Sequence, residues 1–475
     1  MIEKSELLDF AKVFDLPIET VEKDYVLGWI LAGIEQEAAI HSSWLFKGGT
    51  CLKKCYFETY RFSEDLDFTL PDKDHINPDA LKEMFGRISE WINAQSGIQI
   101  PENTIAFEIF KNPRGKFAIQ GKVGYIGPLR RGSGSIAKIK LDLTNDEHVS
   151  LPAVIRDIYH PYSDKPASGF RARCYAYEEI FAEKVRALAE RARPRDLYDV
   201  IHLYRHDHLL TDKKLVLNTL VEKCRFKTID LPTLEGIEKH PRRGELDSEW
   251  ENMLRHQLAA LPPIQSFLDE LPNFFGWLNE IQGIEAEPEE EMAEVESAAA
   301  PAPRAGGKME IDTSWSVPER LTSINRDSSL LEKIRFAAAN RLCLDLAYEG
   351  KHRIIEPYAV KRTIAGDLFL QAVRHESGEP RSYSFGKIQG IKVTDTPFIP
   401  KGPIEMGPAG QLRISQNVST ARGGRGNYGP FYIYRCSACR RLFRKKTMNG
   451  TLRPHKGKNG YQCHGTYGIY VRTKY

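Results

Sequence analysis

Apolar positions along the chain change rhythm several times. Near the start, Leu7, Leu8, Phe10, Ala11 and Phe14 recur at helical spacing and predict an amphipathic helix. From about Leu45 to Leu151 the pattern shortens and strands are expected. Reading Arg61-Phe62-Ser63-Glu64-Asp65-Leu66-Asp67-Phe68 as a strand puts Ser63, Asp65 and Asp67 on one face and Phe62, Leu66 and Phe68 on the other. In Ile136–Thr144 the same period sends Ile139, Leu141 and Leu143 to a core, with Lys138, Lys140 and Asp142 opposite. Helical spacing returns from Tyr175 and ends in the stripe Trp250, Leu254, Leu258 and Leu261, followed by Phe267, Leu271, Phe274, Phe275 and Leu278. Residues 1–284 therefore read as one α+β unit, strand-rich in the middle and helical in its second half.

The composition then shifts. Glu285 to Glu296 holds seven Glu and no Lys or Arg, and Ala298-Ala299-Ala300-Pro301-Ala302-Pro303 and Gly306-Gly307 follow. Such a segment cannot bury a core, so 285–327 is expected to be a flexible linker. A further unit, 328–400, opens with a helix over Leu330–Leu342 (Leu331, Ile334 and Ala338 at helical spacing) and continues as short strands. Residues 401–475 carry six Lys and nine Arg against one acid, Glu405. This net +14, in a chain whose total is +3, is the footprint of a polyanion binder.

With 41% hydrophobic and 28% charged residues, the chain is not mostly disordered, collagenous or mucin-like. Apolar runs such as Tyr25–Ile34 are broken before they could span a bilayer, and Met1–Glu6 has no secretory pattern, so a cytoplasmic protein is expected. Eight cysteines in this length do not suggest a disulfide scaffold. Cys51, Cys55, Cys174, Cys224 and Cys343 read as scattered, buried thiols.

The candidate chemistry lies in the first unit. Asp65 and Asp67 point the same way from one strand and repel unless a cation sits between them, and hard oxygen donors select Mg²⁺ or Mn²⁺. Before them, Gly48-Gly49-Thr50 precedes a helical stretch from Leu52 to Phe57. Glycines let a backbone approach a phosphate, which a helix N-terminus favours. Asp142 supplies the third carboxylate that two-metal phosphoryl chemistry needs. Lys184 is suited to a triphosphate. Pro194 opens a helix on which Asp196 and Asp199 are neighbours, and Arg195 with Asp196 also reads as an inter-helix ion pair.

Together, Gly48-Gly49-Thr50, Arg61-x-Ser63-x-Asp65-x-Asp67-Phe68, the Asp142 strand, Ala182-Glu183-Lys184 and Arg195-Asp196-Leu197-Tyr198-Asp199 resemble the AbiEii-type nucleotidyltransferase toxins of abortive-infection toxin–antitoxin systems. Glu22-Lys23-Asp24-Tyr25 is similar to the same family. The resemblance covers about residues 1–280. It implies the polymerase β-like nucleotidyltransferase fold with a mixed sheet, and transfer of NMP from an NTP; related toxins modify the 3′ end of tRNA. It implies phosphate contacts from Gly48, Gly49, Thr50 and Ser63, metal binding by Asp65, Asp67 and Asp142, and essential roles for Lys184 and Asp196. A cognate antitoxin is an implied partner.

Residues of about 330–400 resemble a WYL domain, a small SH3-like β-barrel, through Leu346-Ala347-Tyr348-Glu349-Gly350, Arg353–Tyr358, Leu368–Ala372 and Pro397–Pro400. Leu368-Phe369-Leu370 replaces the Trp-Tyr-Leu triplet. The basic tail carries Cys436-Ser437-Ala438-Cys439, then His455 and Cys463, a Cys₃His set suited to structural Zn²⁺ in a zinc-ribbon-like module, with His464 as the alternative fourth ligand. Basic residues interleaved with aromatics there suit nucleic acid. The sequence and the AbiEii-type resemblance thus point to a metal-dependent nucleotidyltransferase that transfers NMP to an RNA acceptor, expected to be the tRNA 3′ end, as a toxin in phage defence or a toxin–antitoxin system. The rival reading is a nucleic-acid-binding regulator with a vestigial transferase domain.

Overall fold

Short alternating runs assemble one mixed sheet, and the helices cover its faces. In the computed structural model the chain is described over residues 1–72, 75–112, 115–130, 136–282, 323–362, 367–406, 431–436, 442–445, 452, 455–456, 462–463 and 468–474. The acidic stretch from Glu285 and most of the expected linker lie outside the described residues. Two compact units form, Met1–Ala409 and Gly410–Tyr475.

The first unit begins with α1 (Lys4–Phe14) and α2 (Ile18–Gln36). In α1, Leu7, Val13 and Phe14 are buried, whereas Leu8 of the expected stripe is exposed. Next come β1 (Leu45–Lys47), α3 (Gly48–Cys51) running into a π-helical segment (Leu52–Tyr56), β2 (Asp65–Thr69) and α4 (Pro78–Ser96). Then follow β3 (Ala106–Lys111), β4 (Phe117–Tyr125), β5 (Ala137–Thr144), β6 (Val154–Asp157) and β7 (Arg171–Cys174). The sheet order is β3-β4-β5-β2-β1-β7-β6. The pairs β2–β5 and β1–β7 are parallel and the others antiparallel. The α+β class with a mixed sheet is thereby established.

The helical half is α5 (Tyr177–Arg191), α6 (Pro194–Arg205), α7 (Lys213–Lys227), α8 (Leu234–Glu238), α9 (Arg243–Ser248), α10 (Trp250–Leu254), α11 (Gln265–Leu268) and α12 (Leu271–Gln282). The expected apolar stripe is split between α10, α11 and α12, because Pro262-Pro263 cannot continue a helix. Trp250, Leu254, Phe267, Phe274 and Leu278 are nevertheless buried, each stabilising the unit by roughly 2 kcal/mol.

The helix expected over Leu330–Leu342 is α13, and it spans Ser323–Asn340; Leu342 already belongs to β8 (Leu342–Tyr348). Strands β9 (Lys351–Arg362), β10 (Leu368–Arg374), β11 (Pro380–Ser384) and β12 (Ile388–Pro397) complete an antiparallel sheet in the order β11-β10-β9-β8-β12. Among the described residues no β11–β12 pairing closes it into a barrel. Residues past 400 extend this sheet: the Glu405 amide donates to the Tyr358 carbonyl at 2.8 Å. Helix α13 packs on β8, β9 and β12 and also on α1 and α6. Thr59 donates to Glu332 at 2.9 Å, Tyr198 to Asn340 at 2.9 Å, and Arg341 pairs with Glu270 at 2.6 Å.

The second unit has a three-stranded sheet of β13 (Phe431–Cys436), β14 (Leu442–Lys445) and β17 (Gly468–Lys474), ordered β14-β13-β17, and a short ladder of β15 (His455–Lys456) and β16 (Gln462–Cys463). Its core joins Tyr434, Cys436 and Leu452, with Phe443 and Cys463 against them.

The docking of α13 carries a pH dependence. Glu58 is pushed up to about 7 by burial, with Glu332 adding and Arg335 opposing. Its protonated form is favoured in the fold, so the stability it lends is complete below its ordinary 4.5 and is lost as pH rises through about 7. Glu58→Gln should flatten the decline of the thermal midpoint between about pH 5 and about pH 8. Parallel midpoint curves for the two proteins would contradict this assignment.

Candidate active site

The centre of the sheet is where β1 turns into α3. Gly48 has a φ of +78°, and a Cβ there would overlap the Asp67 carboxylate, so only glycine meets both demands. A Cβ on Gly49 would lie 2.6 Å from the Arg61 guanidinium and 3.1 Å from Ser63 Oγ. The glycines thus bring backbone directly against the carboxylate strand. Thr50 is buried and its hydroxyl donates to the Asp65 carbonyl, tying α3 to β2.

Parallel pairing sets Asp67 beside Asp142 and Asp65 beside Lys140, while the antiparallel partner of Asp67 is Lys47. The alternation expected in both strands holds: Leu66, Phe68, Ile139, Leu141 and Leu143 are buried, and Asp65, Asp67 and Asp142 occupy the half-buried face. Ser63 precedes β2 and is not part of the strand. Asp67 is pushed up to about 7, by burial first and by Asp142 next, against the cations Lys47 and Lys184. Asp142 is also raised, by burial and by Asp65, although Gln120 donates to it at 3.5 Å. Burial and mutual repulsion thus oppose ionisation of Asp67 and Asp142, and a cation beside them would favour it. Their oxygen donors suit a hard divalent ion.

The cations around it are held by their own partners. Lys47 lies 3.2 Å from Glu183 and 3.9 Å from Glu147; burial opposes its charge, but these acids raise its pKa. Lys184 lies 2.8 Å from Asp199. Asp199 also accepts from Arg61 Nε at 2.7 Å and Nη2 at 2.8 Å, and from the Tyr60 hydroxyl. Burial alone would raise the Asp199 pKa, yet Arg61 and Lys184 hold it well below the usual carboxylate range. Arg61 also donates to Gln257 at 2.8 Å. Both oxygens of buried Asp196 are taken by Arg191, at 2.6 and 2.8 Å. Between them Ala192 adopts a φ of +45° before the Arg193-Pro194 step, a tight reversal between α5 and α6. The ion pair expected for Asp196 is therefore with Arg191; Arg195 instead reaches the Met253 carbonyl at 3.4 Å.

The structure brings Gly48, Gly49, Ser63, Asp65, Asp67 and Asp142 into one neighbourhood, with Lys184 acting on Asp67 from α5. Asp199 was named from the sequence only as a neighbour of Asp196, and Lys47, which directly precedes the glycine turn, was given no role. An Arg at position 61 in an otherwise buried segment was the available signal, since such a guanidinium demands a carboxylate. Glu22-Lys23-Asp24-Tyr25 proves architectural: Glu22 accepts from the Leu129 amide, Lys23 pairs with Glu64, Asp24 pairs with buried Lys54, and Tyr25 donates to Asp164.

In the second unit, ligand atoms of Cys436, His455 and Cys463 all lie within 4.8 Å of one another, and the two Sγ atoms are 3.7 Å apart. Two sulfurs on a tetrahedral zinc at about 2.3 Å would be separated by roughly 3.8 Å, so the donors fit that ion. Cys439 and His464 lie outside the described residues.

Oxygen donors grouped beside a backbone turn free of side chains make a geometry suited to phosphoryl chemistry, and the family comparison gives the class. The family described as nucleotidyl transferase AbiEii toxin, type IV toxin–antitoxin system, matches residues 29–279. The chain belongs to this family of NTP-using toxins, and it is an enzyme. No curated protein matches the chain. Among solved structures, the nucleotidyltransferase toxin MenT4 of Mycobacterium tuberculosis H37Rv is similar at 19% identity, covering 59% of this chain and 90% of its own, with a TM-score of 0.37. Proteasome accessory factor B/C of Arthrobacter aurescens aligns at 11% identity over 87% of this chain and 76% of its own, with a TM-score of 0.15. No described helix is long and apolar enough to cross a membrane.

Removing Asp199 would strand Arg61 and Lys184 as buried charges. Asp199→Ala should cost about 3–5 kcal/mol in urea unfolding. Asp65→Ala, which relieves like-charge crowding, should leave the midpoint unchanged or raised. An Asp199→Ala protein as stable as its parent would remove the hub role.

Proposed function

We propose that the carboxylate face of β2 and β5 transfers NMP from an NTP to an RNA acceptor, the tRNA 3′ end foremost, and that this is how the toxin acts. The observation that carries this reading is the register of Asp67 with Asp142 beside the Gly48 turn. Asp65, Asp67 and Asp142 would hold Mg²⁺ or Mn²⁺, which when bound supplies Lewis-acid activation of the attacking hydroxyl and charge stabilisation of the leaving pyrophosphate. Gly48 and Gly49 keep side chains out of the phosphate path, and Ser63 offers a hydroxyl beside Gly49. Lys184 and Lys47, fixed by Asp199 and Glu183, place positive charge where phosphate charge develops. The 3′-hydroxyl attacks the α-phosphorus in line, and the bond to pyrophosphate breaks.

The +14 of residues 401–475 supports a nucleic-acid partner, with Cys436, Cys439, His455 and Cys463 as zinc ligands that staple the basic module. The WYL-like unit is assigned a nucleic acid or nucleotide-like ligand on its resemblance. A separate antitoxin is the partner that the family description supports.

Incubating the purified protein with total RNA, Mg²⁺ and each labelled NTP in turn tests the reaction. Label should enter the tRNA fraction, and Asp65→Ala with Asp67→Ala should reduce it at least about a hundredfold while the fold persists. Undiminished transfer by that folded variant would sink the site assignment.

For the tail, Cys436→Ser with Cys463→Ser should release one zinc per chain and weaken RNA binding. In the parent, log affinity should fall linearly with log salt. Zinc without salt-sensitive affinity would point to a protein-docking tail instead.

A further inference from the structure

Three cysteines read from the sequence as scattered thiols converge behind the glycine turn. Cys51 ends α3, Cys55 lies four residues on in the π-helical segment, and Cys174 ends β7 beside β1. Their Sγ atoms all lie within 4.8 Å of one another; Cys51 and Cys174 are buried and Cys55 is half-buried. No disulfide joins them. A helical i, i+4 pair of thiols facing a third on an adjacent strand is a donor set, since thiolate ligands select soft cations such as Zn²⁺ and Cu⁺. The π-helical segment is a second pointer, because such insertions are uncommon and occur mostly at functional sites. Polar groups line the cluster on the β7 side. Tyr56 holds its hydroxyl 4.0 Å from Cys174 Sγ while donating to the Tyr175 carbonyl, and the Arg156 guanidinium lies 4.6 Å from the Tyr56 ring centroid.

We propose that Cys51, Cys55 and Cys174 form a thiolate site for one soft d¹⁰ cation, Zn²⁺ or Cu⁺, separate from both the carboxylate site and the C-terminal module. Sulfur–metal bonds form as the thiol protons leave to solvent, so loading is favoured by rising pH. The ion would fasten α3 to the sheet from behind. Cys51 closes the helix that Gly48 opens, and Cys174 stands in register with Phe46 of β1. The site is therefore built to stiffen the glycine turn without touching substrate.

The test uses the full chain carrying Cys436→Ser and Cys463→Ser, so that the tail contributes no zinc. The protein is stripped with a chelator under reducing conditions, reloaded with Zn²⁺ or Cu⁺ alone, desalted and analysed for metal. One equivalent should be retained, with a raised thermal midpoint, and retention should fall at least about tenfold on adding Cys51→Ser or Cys174→Ser. Cys55→Ser, at the half-buried position, separates loss of ligand from loss of fold: its metal-free melting curve should match the parent's while metal retention is lost. Reloading with Co²⁺ should give a sulfur-to-metal charge-transfer band that Cys55→Ser weakens. Retention of no metal by the folded, reduced parent overturns the proposal. So does retention that survives all three substitutions, or a disulfide among these cysteines in freshly purified protein, which would make the cluster a redox pair.

Discussion

The active-site half of the molecule depends on one buried ion pair, Arg61 with Asp199. Burying both charges is costly unless every donor and acceptor is used. The structure uses nearly all of them: Asp199 accepts from Arg61 twice, from Tyr60 and from Lys184, and Arg61 gives its remaining arm to Gln257. This set joins the loop before β2, α5, the first turns of α6 and the chain after α10. Ser63 is held against Gly49 as a consequence. The family's separate motifs are thereby parts of one network.

A second constraint is charge balance. The face of β2 and β5 carries acids that burial and mutual repulsion make costly to ionise. Around them stand cations that are each neutralised from behind, Lys47 by Glu183 and Lys184 by Asp199. A cation so held does not collapse onto the acids of β2 and β5, and its field is already oriented before any ligand arrives. Preorganisation of this kind avoids reorganisation during reaction.

What was legible in the sequence follows from the range of the interactions. Alternation in 65–68 and 136–144 is local, so the faces of Asp65, Asp67 and Asp142 could be read directly. Gly48 announced itself because its backbone requirement admits almost no substitute. Asp199 was in view without a role, because its partner lies 138 residues away in sequence. Cys174 is separated from Cys51 and Cys55 by the greater part of the sheet, so nothing local joined them. Helix α4 fell inside a stretch read as strands, although Asn77 caps it and Pro78 opens it. Composition misjudged the start of α13, whose first turn was assigned to the linker.

The clasp of α13 bears on modularity. This helix belongs in sequence to the unit after the acidic stretch, yet it seats Glu332 against Thr59 and Asn340 against Tyr198, next in the chain to the turn of α6 that carries Asp199. The unit of inheritance is then not the segment ahead of the acidic stretch alone. A recombination joint placed at that stretch would part Tyr198 from Asn340 and uncover the apolar surface on α1. Exchange of the downstream β-sheet between relatives would be expected to preserve function only when its leading helix and the surface it meets are exchanged, or co-adapted, together.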